Sequence, residues 1–306
     1  MKKKKNKPEA SSVNSRLVSR PIQRYCWLFM LPTFAAFCVG FVWPFIQGIY
    51  LSFCEFRTPR DAEFIGIANY LKALVDEGFR YAFGYTSAFA IVSIIAVNVF
   101  AFVVAYFLTQ NIKGANIFRT VFFMPNLIGG IVLGYIWSMI FDGVLKIYGT
   151  YLLAETSYGF WGLLILMCWQ QIGYMMIIYI AGLQSIPEDM MEAARIDGAT
   201  KWQILWKVTI PNMMSSFTIC IFLTLTNSFK LFDQNMALTG GMPVIFEEGG
   251  KMINSTQMLA LNIYQTFYSS GANRGVAQAK AVVFFILVAV LAMTQLKLTR
   301  EQEVQQ

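Results

Sequence analysis

Segment 188–207 holds every charged residue between two long uncharged stretches, and its residue types suit contact with another protein. Glu192 is followed by Ala193 and Ala194, and Gly198 comes four residues later. Small side chains let a partner approach the backbone closely, while a carboxylate fixes the register and the choice of partner. The chemistry that this spacing indicates is therefore protein recognition. An ordinary amphipathic helix lying on a membrane has the same pattern and is the competing interpretation.

Two short helices joined by a glycine corner are predicted to present these residues. Pro187 suits the first position of a helix, and Glu188 and Asp189 complement the positive end of the helix dipole. Gly198 suits the position just beyond the helix end, where φ becomes positive. A second helix is predicted to follow and to close at Pro211. The stripe along one face of this second helix consists of Trp202, Leu205, Trp206 and Thr209.

The sequence lacks histidine and a nucleotide-binding P-loop, two features on which many enzymatic reactions depend. No histidine occurs among the 306 residues, which removes the commonest general base and the commonest metal ligand. No G-x-x-x-x-G-K-[ST] sequence occurs, so the chain is not expected to hydrolyse a nucleotide itself. The five cysteines show no paired spacing of the kind that forms a disulfide framework or a zinc site. We therefore expect no catalytic residue, no metal site and no cofactor bound by this chain.

The composition is that of an integral membrane protein, because 57% of the residues are hydrophobic and only 13% are charged. A charged residue at the centre of a bilayer costs ~2.5–3.5 kcal/mol, so uncharged gaps locate the membrane spans. The gaps predict an all-α, six-helix membrane bundle, and Lys280 in its last span is expected to snorkel or to face a wet interior. The predicted spans are about 25–53, 82–109, 119–141, 159–183, 209–231 and 276–297.

The remaining segments divide into two tails, one long loop and one polar window. A basic tail at 1–24 precedes the transmembrane domain at 25–298, and a short tail at 299–306 follows it. Loop 184–212 lies between the fourth and fifth spans. Window 252–273 is uncharged but rich in Asn, Gln, Ser and Thr, and we predict that it lies outside the membrane.

The distribution of Lys and Arg predicts that both termini are cytoplasmic. The side that holds both termini and loop 184–212 carries 15 basic residues, whereas the loops on the other side carry seven. Basic residues near span ends stay in the cytoplasm. The lysine-rich tail is expected to set topology and to attract anionic lipid rather than nucleic acid. A cleaved signal peptide is not expected, because the apolar stretch 27–50 is too long for one.

Loop 184–212 also resembles the EAA motif of ABC importer permeases, whose spacing is EAA-x3-G-x9-I-x-L-P. The matching residues are Glu192, Ala193, Ala194, Gly198, Val208, Ile210 and Pro211. Asp197 before the glycine is the form typical of the carbohydrate-uptake branch. The similarity extends over most of the chain and is interrupted at Met242, which stands inside the usual T-G-G-P. The sequence thus resembles the multiple-sugar permeases of type I importers, in the subunit similar to the larger maltose permease.

The resemblance implies the type I importer permease fold and a non-catalytic subunit of the bacterial plasma membrane. The implied partners are a second permease in a heterodimer, two ATPase subunits that bind ATP and Mg, and an extracytoplasmic binding protein that delivers a sugar or oligosaccharide. By motif match, Glu192 would contact a basic residue of an ATPase, Ala193 and Ala194 would allow close approach, and Asp197 and Gly198 would form the corner. We therefore call 184–212 the coupling loop.

Four polar residues within predicted spans are candidates for contact with the sugar. Gln171 and Tyr174 lie in the fourth span, and Asn227 and Ser228 lie in the fifth. Aromatic faces match the apolar faces of sugar rings, and amides and hydroxyls bind sugar hydroxyls. The competing interpretations are anchoring at the membrane surface and hydrogen bonding between helices. Asn98 of the second span is expected to make such an interhelical bond.

The alternative function is that of an ion-coupled secondary transporter of a small polar solute. Such transporters use paired carboxylates or a histidine relay at membrane depth. No Asp or Glu lies within any of the six uncharged windows, so this alternative is disfavoured. A membrane enzyme is disfavoured because the sequence offers neither histidine nor a carboxylate pair within the spans.

Overall fold

The computed structural model describes residues 15–110, 112–246, 250–269 and 271–301. The chain divides into two compact units, the first ending at Leu51 and the second beginning at Ser52. Residues 1–14 of the predicted N-terminal tail and 302–306 of the C-terminal tail lie outside the described residues. The helical structure begins at Ser15, well before the predicted start of the first span.

The first unit is one long helical segment that contains a π-helical turn. Helix α1, Ser15–Phe37, passes through the turn Cys38–Val42 into helix α2, Trp43–Leu51. Pro44 explains this turn, because proline lacks an N–H and its ring crowds the carbonyl four residues earlier. The N–H of Trp43 instead bonds to the carbonyl of Cys38, five residues back, as in a π-helix. The apolar part of the segment, 25 residues long, is sufficient to cross a bilayer.

The second unit is predominantly helical, as the sequence predicts. Its helices are α3 Ala68–Val75, α4 Glu77–Leu108, α5 Ala115–Phe123, α6 Gly130–Ile147, α7 Thr156–Gln184, α8 Glu188–Ile196, α9 Lys201–Ile204, α10 Ile210–Asn212, α11 Met214–Phe229, α12 Asp233–Leu238, α13 Leu259–Ser269 and α14 Arg274–Arg300. Its two short antiparallel hairpins are β1 Cys54–Glu55 with β2 Glu63–Phe64, and β3 Val244–Phe246 with β4 Met252–Asn254. The all-α fold class is confirmed.

Among the described residues, five helices are long and apolar enough to span a membrane, and a bent pair makes a sixth. The bent pair joins residues 201–212 to α11 at an angle of 70°. The third predicted span, 119–141, is not one helix. Pro125 lies in a 3-10 turn, Met124–Leu127, and α6 begins only at Gly130 and runs past Asp142 to Ile147. A charge gap marks where lipid is tolerated, but proline and glycine decide where a helix breaks.

Helices α4, α7 and α11 pack together in the second unit and form much of its core. One buried cluster contains Val97 of α4, Met175, Met176 and Tyr179 of α7, and Cys220 of α11. Apolar contact alone does not hold helices together in lipid, so close packing of small residues matters. The glycines of α7 provide such contacts.

At two glycines of α7, another segment of the chain packs so closely that an added Cβ would clash with it. A Cβ placed on Gly173 would lie 1.8 Å from the carbonyl oxygen of Phe122 in α5. A Cβ placed on Gly182 would lie 2.2 Å from Oγ of Ser216 in α11. Only glycine allows these approaches. The second crossing lies directly before the coupling loop.

The polar window 252–273 contains β4 and α13 and is held by internal hydrogen bonds. Helix α13 has 11 residues, too few to span a bilayer. Ser255, Thr256 and Gln257 before it are nonetheless buried. Thr256 Oγ1, for example, donates to the carbonyl of Met242 at 2.6 Å. The polarity of this window therefore reflects a hydrogen-bonded fold, and its position outside lipid stays a prediction.

The prediction that Lys280 reaches water is wrong in this structure. Its side chain is 1% exposed, and its ammonium forms an ion pair with Asp76 at 2.5 Å. The sequence alone does not show this pairing, because the two residues are 204 positions apart. A buried ammonium requires such a partner, because its desolvation is otherwise uncompensated.

Candidate functional site

Helix α8 in the coupling loop ends in a left-handed glycine, as the corner requires. It begins at Glu188 directly after Pro187 and has Arg195 in its last turn, which matches the helix dipole. Gly198 has φ of +76°, and its N–H bonds to the carbonyl of Arg195 at 3.1 Å. The N–H of Ala199 then bonds to the carbonyl of Ala194 at 3.0 Å. The chain thus turns sharply away from α8 at this glycine.

The second part of the coupling loop does not form the single continuous helix that the sequence predicts. Thr200 caps α9 through a capping box, in which its N–H bonds to Oε1 of Gln203 at 2.8 Å and its Oγ1 accepts the Gln203 N–H. A π-helical turn, Leu205–Thr209, replaces the rest of the predicted helix. Pro211 is the physical reason, since it removes the N–H that would continue the α-helical ladder.

The corner exposes both its motif residues and large apolar side chains. Glu192, Ala193, Asp197 and Gly198 are exposed, and Ala194 is partly exposed. The exposed fractions of the nearby apolar side chains are 85% for Ile196, 67% for Trp202 and 53% for Trp206. A cluster of exposed apolar residues beside charged ones is typical of a protein or membrane contact surface.

A cavity of about 630 Å³ lies behind this corner. Its walls come from the last turns of α4 and α7 and from the coupling loop. Among its lining residues are Gln110 and Gln184, and the charged Glu188, Arg195 and Lys201. Helix α8 therefore borders a cavity with both polar and apolar walls, between the coupling loop and the ends of α4 and α7.

Three of the four candidate pathway residues lie together where α7 contacts α11. Asn227 Nδ2 donates to Oε1 of Gln171 at 3.0 Å, so the two amides form one polar pair. Tyr174 is partly exposed one helical turn further along α7. The Asn227 side chain is also partly exposed, whereas that of Gln171 is 8% exposed.

Ser228 is the exception, and its predicted contact with a sugar is not supported in this conformation. It is fully buried, and its Oγ lies 2.7 Å from Oγ of Ser93 in α4. It also bonds to the carbonyl of Thr224 at 2.7 Å. Its hydroxyl therefore joins α11 to α4, which is the competing interpretation for polar residues in membrane helices.

Asn98 forms the interhelical contact that the sequence predicts. Its Nδ2 lies 3.2 Å from Thr224 Oγ1 in α11, and its Oδ1 accepts a 2.7 Å bond from the hydroxyl of Tyr179 in α7. One amide thus connects three helices. This prediction is confirmed.

A second pair of amides, which the sequence did not predict, lies at the break between α5 and α6. Gln234 Nε2 donates to Oε1 of Gln170 at 2.7 Å, and Gln170 Nε2 donates to the carbonyl of Ile128 at 3.1 Å. Gln170 thereby satisfies a carbonyl that the broken helix leaves free. Pro125 is the feature of the sequence that could have indicated this pair. It interrupts the span, and an interrupted span needs side chains to bind its free backbone groups.

Comparison with known proteins gives one family and several close relatives. Residues 98–298 match the family described as the binding-protein-dependent transport system inner membrane component. The probable starch degradation products transport system permease protein AmyD of Thermoanaerobacterium thermosulfurigenes is 42% identical over 287 residues, covering 91% of this chain and 95% of the relative. The multiple sugar-binding transport system permease protein MsmF of Streptococcus mutans is 30% identical over 288 residues, covering 91% and 96%.

A solved structure shows the same fold. It is that of a bacterial ABC transporter involved in the import of the acidic polysaccharide alginate, with a TM-score of 0.76 and 18% identity. The match covers 93% of this chain and 99% of that one. The similarity thus shows that this chain has the fold of that ABC transporter chain.

Proposed function

Because the chain belongs to the family of binding-protein-dependent transport system inner membrane components, we propose that it moves a sugar or oligosaccharide as the permease subunit of an ATP-driven importer. It is a multi-pass protein of the bacterial plasma membrane. The substrate class follows from its relatives, which are named for the transport of starch degradation products and of multiple sugars. Short α-glucans are accordingly the first substrates to test.

The exposed corner of the coupling loop is the observation that carries this proposal. Glu192 and Ala193 lie on the surface beside a left-handed Gly198, with a cavity behind them. A partner ATPase that binds this corner in only one of its own conformations would favour one conformation of the spans. Glu192 would pair with a basic residue there, while Ala193, Ala194, Asp197 and Gly198 would allow close contact.

The proposal includes four partner subunits and a defined orientation. A second permease completes the pathway as a heterodimer, two ATPase subunits bind ATP and Mg, and an extracytoplasmic protein delivers the sugar. The coupling loop and both termini are assigned to the cytoplasm, so α13 and the β3–β4 hairpin are extracytoplasmic. The greater number of basic residues on the coupling-loop side supports this orientation.

Within the pathway, Gln171, Tyr174 and Asn227 are the proposed sugar contacts. The Gln171–Asn227 hydrogen bond provides an amide pair that can exchange its internal bond for bonds to sugar hydroxyls. The aromatic ring of Tyr174 can stack on a sugar ring. Ser228 is left out because its hydroxyl is buried between α4 and α11.

The direct test is ATP hydrolysis by the assembled transporter. The chain would be co-expressed with an ATPase, a second permease and a sugar-binding protein from the same organism, and reconstituted in proteoliposomes. We expect binding protein loaded with maltotetraose to stimulate ATP hydrolysis and to drive uptake of radiolabelled maltotetraose. Uptake that needs no ATP and stops when a protonophore collapses the ion gradient would instead support the secondary-transporter alternative.

A further inference from the structure

Lys280 is a buried cation that the proposed transport function does not require. It lies in α14, about 9 Å along the helix axis from Arg274 at a rise of 1.5 Å per residue. Its side chain is 1% exposed. Charged residues inside membrane segments are expensive and therefore usually have a functional role.

Three hydrogen bonds use every donor of the Lys280 ammonium. Its Nζ donates to Oδ2 of Asp76 at 2.5 Å, to Oδ1 of Asn262 at 2.9 Å and to Oγ1 of Thr266 at 2.7 Å. The ring of Phe79 lies 5.4 Å from the ammonium and adds a cation–π contact. An ammonium has three donors, so its bonding capacity is fully satisfied.

These contacts tie together three helices that belong to different parts of the unit. Asp76 is the N-cap of α4, where its Oδ1 accepts the N–H of Gly78 at 3.1 Å. The same carboxylate therefore caps α4 with one oxygen and holds α14 with the other. Asn262 and Thr266 belong to α13. A single ammonium fixes the positions of α4, α13 and α14 at this end.

The contact extends through amide side chains to the β3–β4 hairpin. Asn262 Nδ2 donates to Oε1 of Gln257 at 2.8 Å, and Gln257 bonds to Gln265. Gln265 also accepts from Nδ2 of Asn254 in β4 at 3.2 Å. A displacement of the hairpin would therefore be transmitted to the partners of Lys280 through a continuous set of hydrogen bonds.

The two sides of the ion pair respond differently to separation. The Asp76 side chain is 39% exposed, so water can hydrate it as soon as Lys280 leaves. Lys280 has no such access and loses its charged partner. Replacing a buried ion pair with apolar residues is often neutral or stabilising, so stability alone does not explain this arrangement.

We propose that Asp76 and Lys280 form a latch that holds the outer ends of α4, α13 and α14 together in the resting transporter and opens when the binding protein docks. This inference rests on the proposed function, because docking and ATP hydrolysis are the events that it couples. Lys280 acts here as a positioning residue. The latch suppresses ATP hydrolysis until the loaded binding protein is present.

The test compares two variants that break the pair from opposite sides. Lys280→Met keeps the volume and removes the charge, while the partly exposed Asp76 can be hydrated. Asp76→Asn keeps a hydrogen-bond acceptor and weakens the pair, so it provides a second route if the first variant does not fold. In the reconstituted complex, hydrolysis without binding protein should rise about tenfold in Lys280→Met, within the range of roughly 5- to 150-fold typical of coupled sites. Asp76→Asn should give a smaller rise.

Lys251→Met is the matched control. Lys251 pairs with Glu77, the residue after Asp76, at 2.8 Å, but its side chain is 68% exposed. Exposed pairs contribute little and rehydrate freely, so this variant should hydrolyse ATP as the wild type does. A similar rise in both lysine variants would overturn the latch.

The remaining outcomes separate the latch from the proposed function. If the wild-type complex fails to respond to loaded binding protein, the proposed function fails. If the wild type responds while both latch variants keep its ratio of unstimulated to stimulated hydrolysis, the latch alone is wrong. A fall in melting temperature with an unchanged ratio would show that the pair is merely a structural contact.

Discussion

A glycine at position 198 has two possible explanations, which are its left-handed backbone conformation and the close approach of a partner protein. Its φ of +76° disfavours most side chains, but a Cβ added there would meet no described atom within 4 Å beyond its chain neighbours. Asp and Asn tolerate the left-handed conformation better than other residues. A loss of function in Gly198→Asp would therefore report the approach of a partner rather than strain within the chain.

We predict that Gly198→Asp abolishes sugar uptake while the chain still inserts in normal amounts. Gly114→Asp is the control, because Gly114 also has positive φ, +86°, and open space around it. The destabilisation should be about 1–2 kcal/mol or less in both, since each forces one left-handed residue. Uptake of radiolabelled sugar and membrane abundance are the measurements. Equal loss of uptake in both variants would point to backbone strain.

The Gln171–Asn227 pair leads to a prediction about sugar binding. Asn227→Ala should raise KM for uptake about 5- to 150-fold, because loss of one or two hydrogen bonds of ~1–1.5 kcal/mol each reduces sugar affinity. Stimulation of ATP hydrolysis by the loaded binding protein should persist. Ser228→Ala should leave KM unchanged, because that hydroxyl bonds to Ser93. The same rise in KM for both would indicate a general effect on packing of α11.

The sequence shows which residues are polar, but it does not show which hydrogen-bond partner each of them has. Asn98 is predicted to bond between helices because it is isolated in an apolar stretch, and it does bond to Thr224. Ser228 is equally polar, yet its burial depends on Ser93, 135 positions away. The pairing of Gln170 with Gln234 spans 64 positions. Only the packing of α7 and α11 against their neighbours determines such pairs.

Three breaks in the helices lie at or just before a proline, although α1 continues without a break through Pro32. The charge gaps locate the apolar segments, but the third predicted span is divided near Pro125. The π turns at Cys38–Val42 and Leu205–Thr209 each precede a proline, Pro44 and Pro211. Both are consistent with the loss of a backbone N–H and the crowding of the preceding turn. Proline therefore accounts for these three breaks, but its presence alone does not predict one.

The crossing of α5 and α7 provides a prediction for these elements. Gly173→Ala should destabilise the protein by at least about 1–3 kcal/mol, because the added Cβ meets backbone that must move and a packed core does not yield readily. Gly143→Ala is the matched control in α6, where nothing lies within 4 Å, and it should be neutral or stabilising by about 0.5–1 kcal/mol. Melting temperature in detergent is the measurement. Equal melting temperatures for both variants would contradict the close crossing.

For the whole molecule, the proposed function assigns ATP hydrolysis to partner subunits and the transport pathway to this chain and a second permease. This chain has no histidine and no P-loop sequence, and its polar side chains mostly serve helix contacts, the coupling corner and the outer network. Its proposed task is to convert contact with an ATPase into movement of α4, α7 and α11. The cavity of about 630 Å³ behind the coupling loop lies between that loop and the ends of α4 and α7.

We propose that Glu192 and its neighbours couple this chain to an ATPase. Reversing the charge of Glu192 tests this coupling. Glu192→Lys would be compared with Glu301→Lys, which makes the same charge change at an exposed residue beyond α14. In proteoliposomes with equal amounts of assembled permease, we predict that Glu192→Lys abolishes maltotetraose uptake and the stimulation of ATP hydrolysis by loaded binding protein. Glu301→Lys should behave as the wild type. Uptake at the wild-type rate by Glu192→Lys would contradict the coupling role of Glu192.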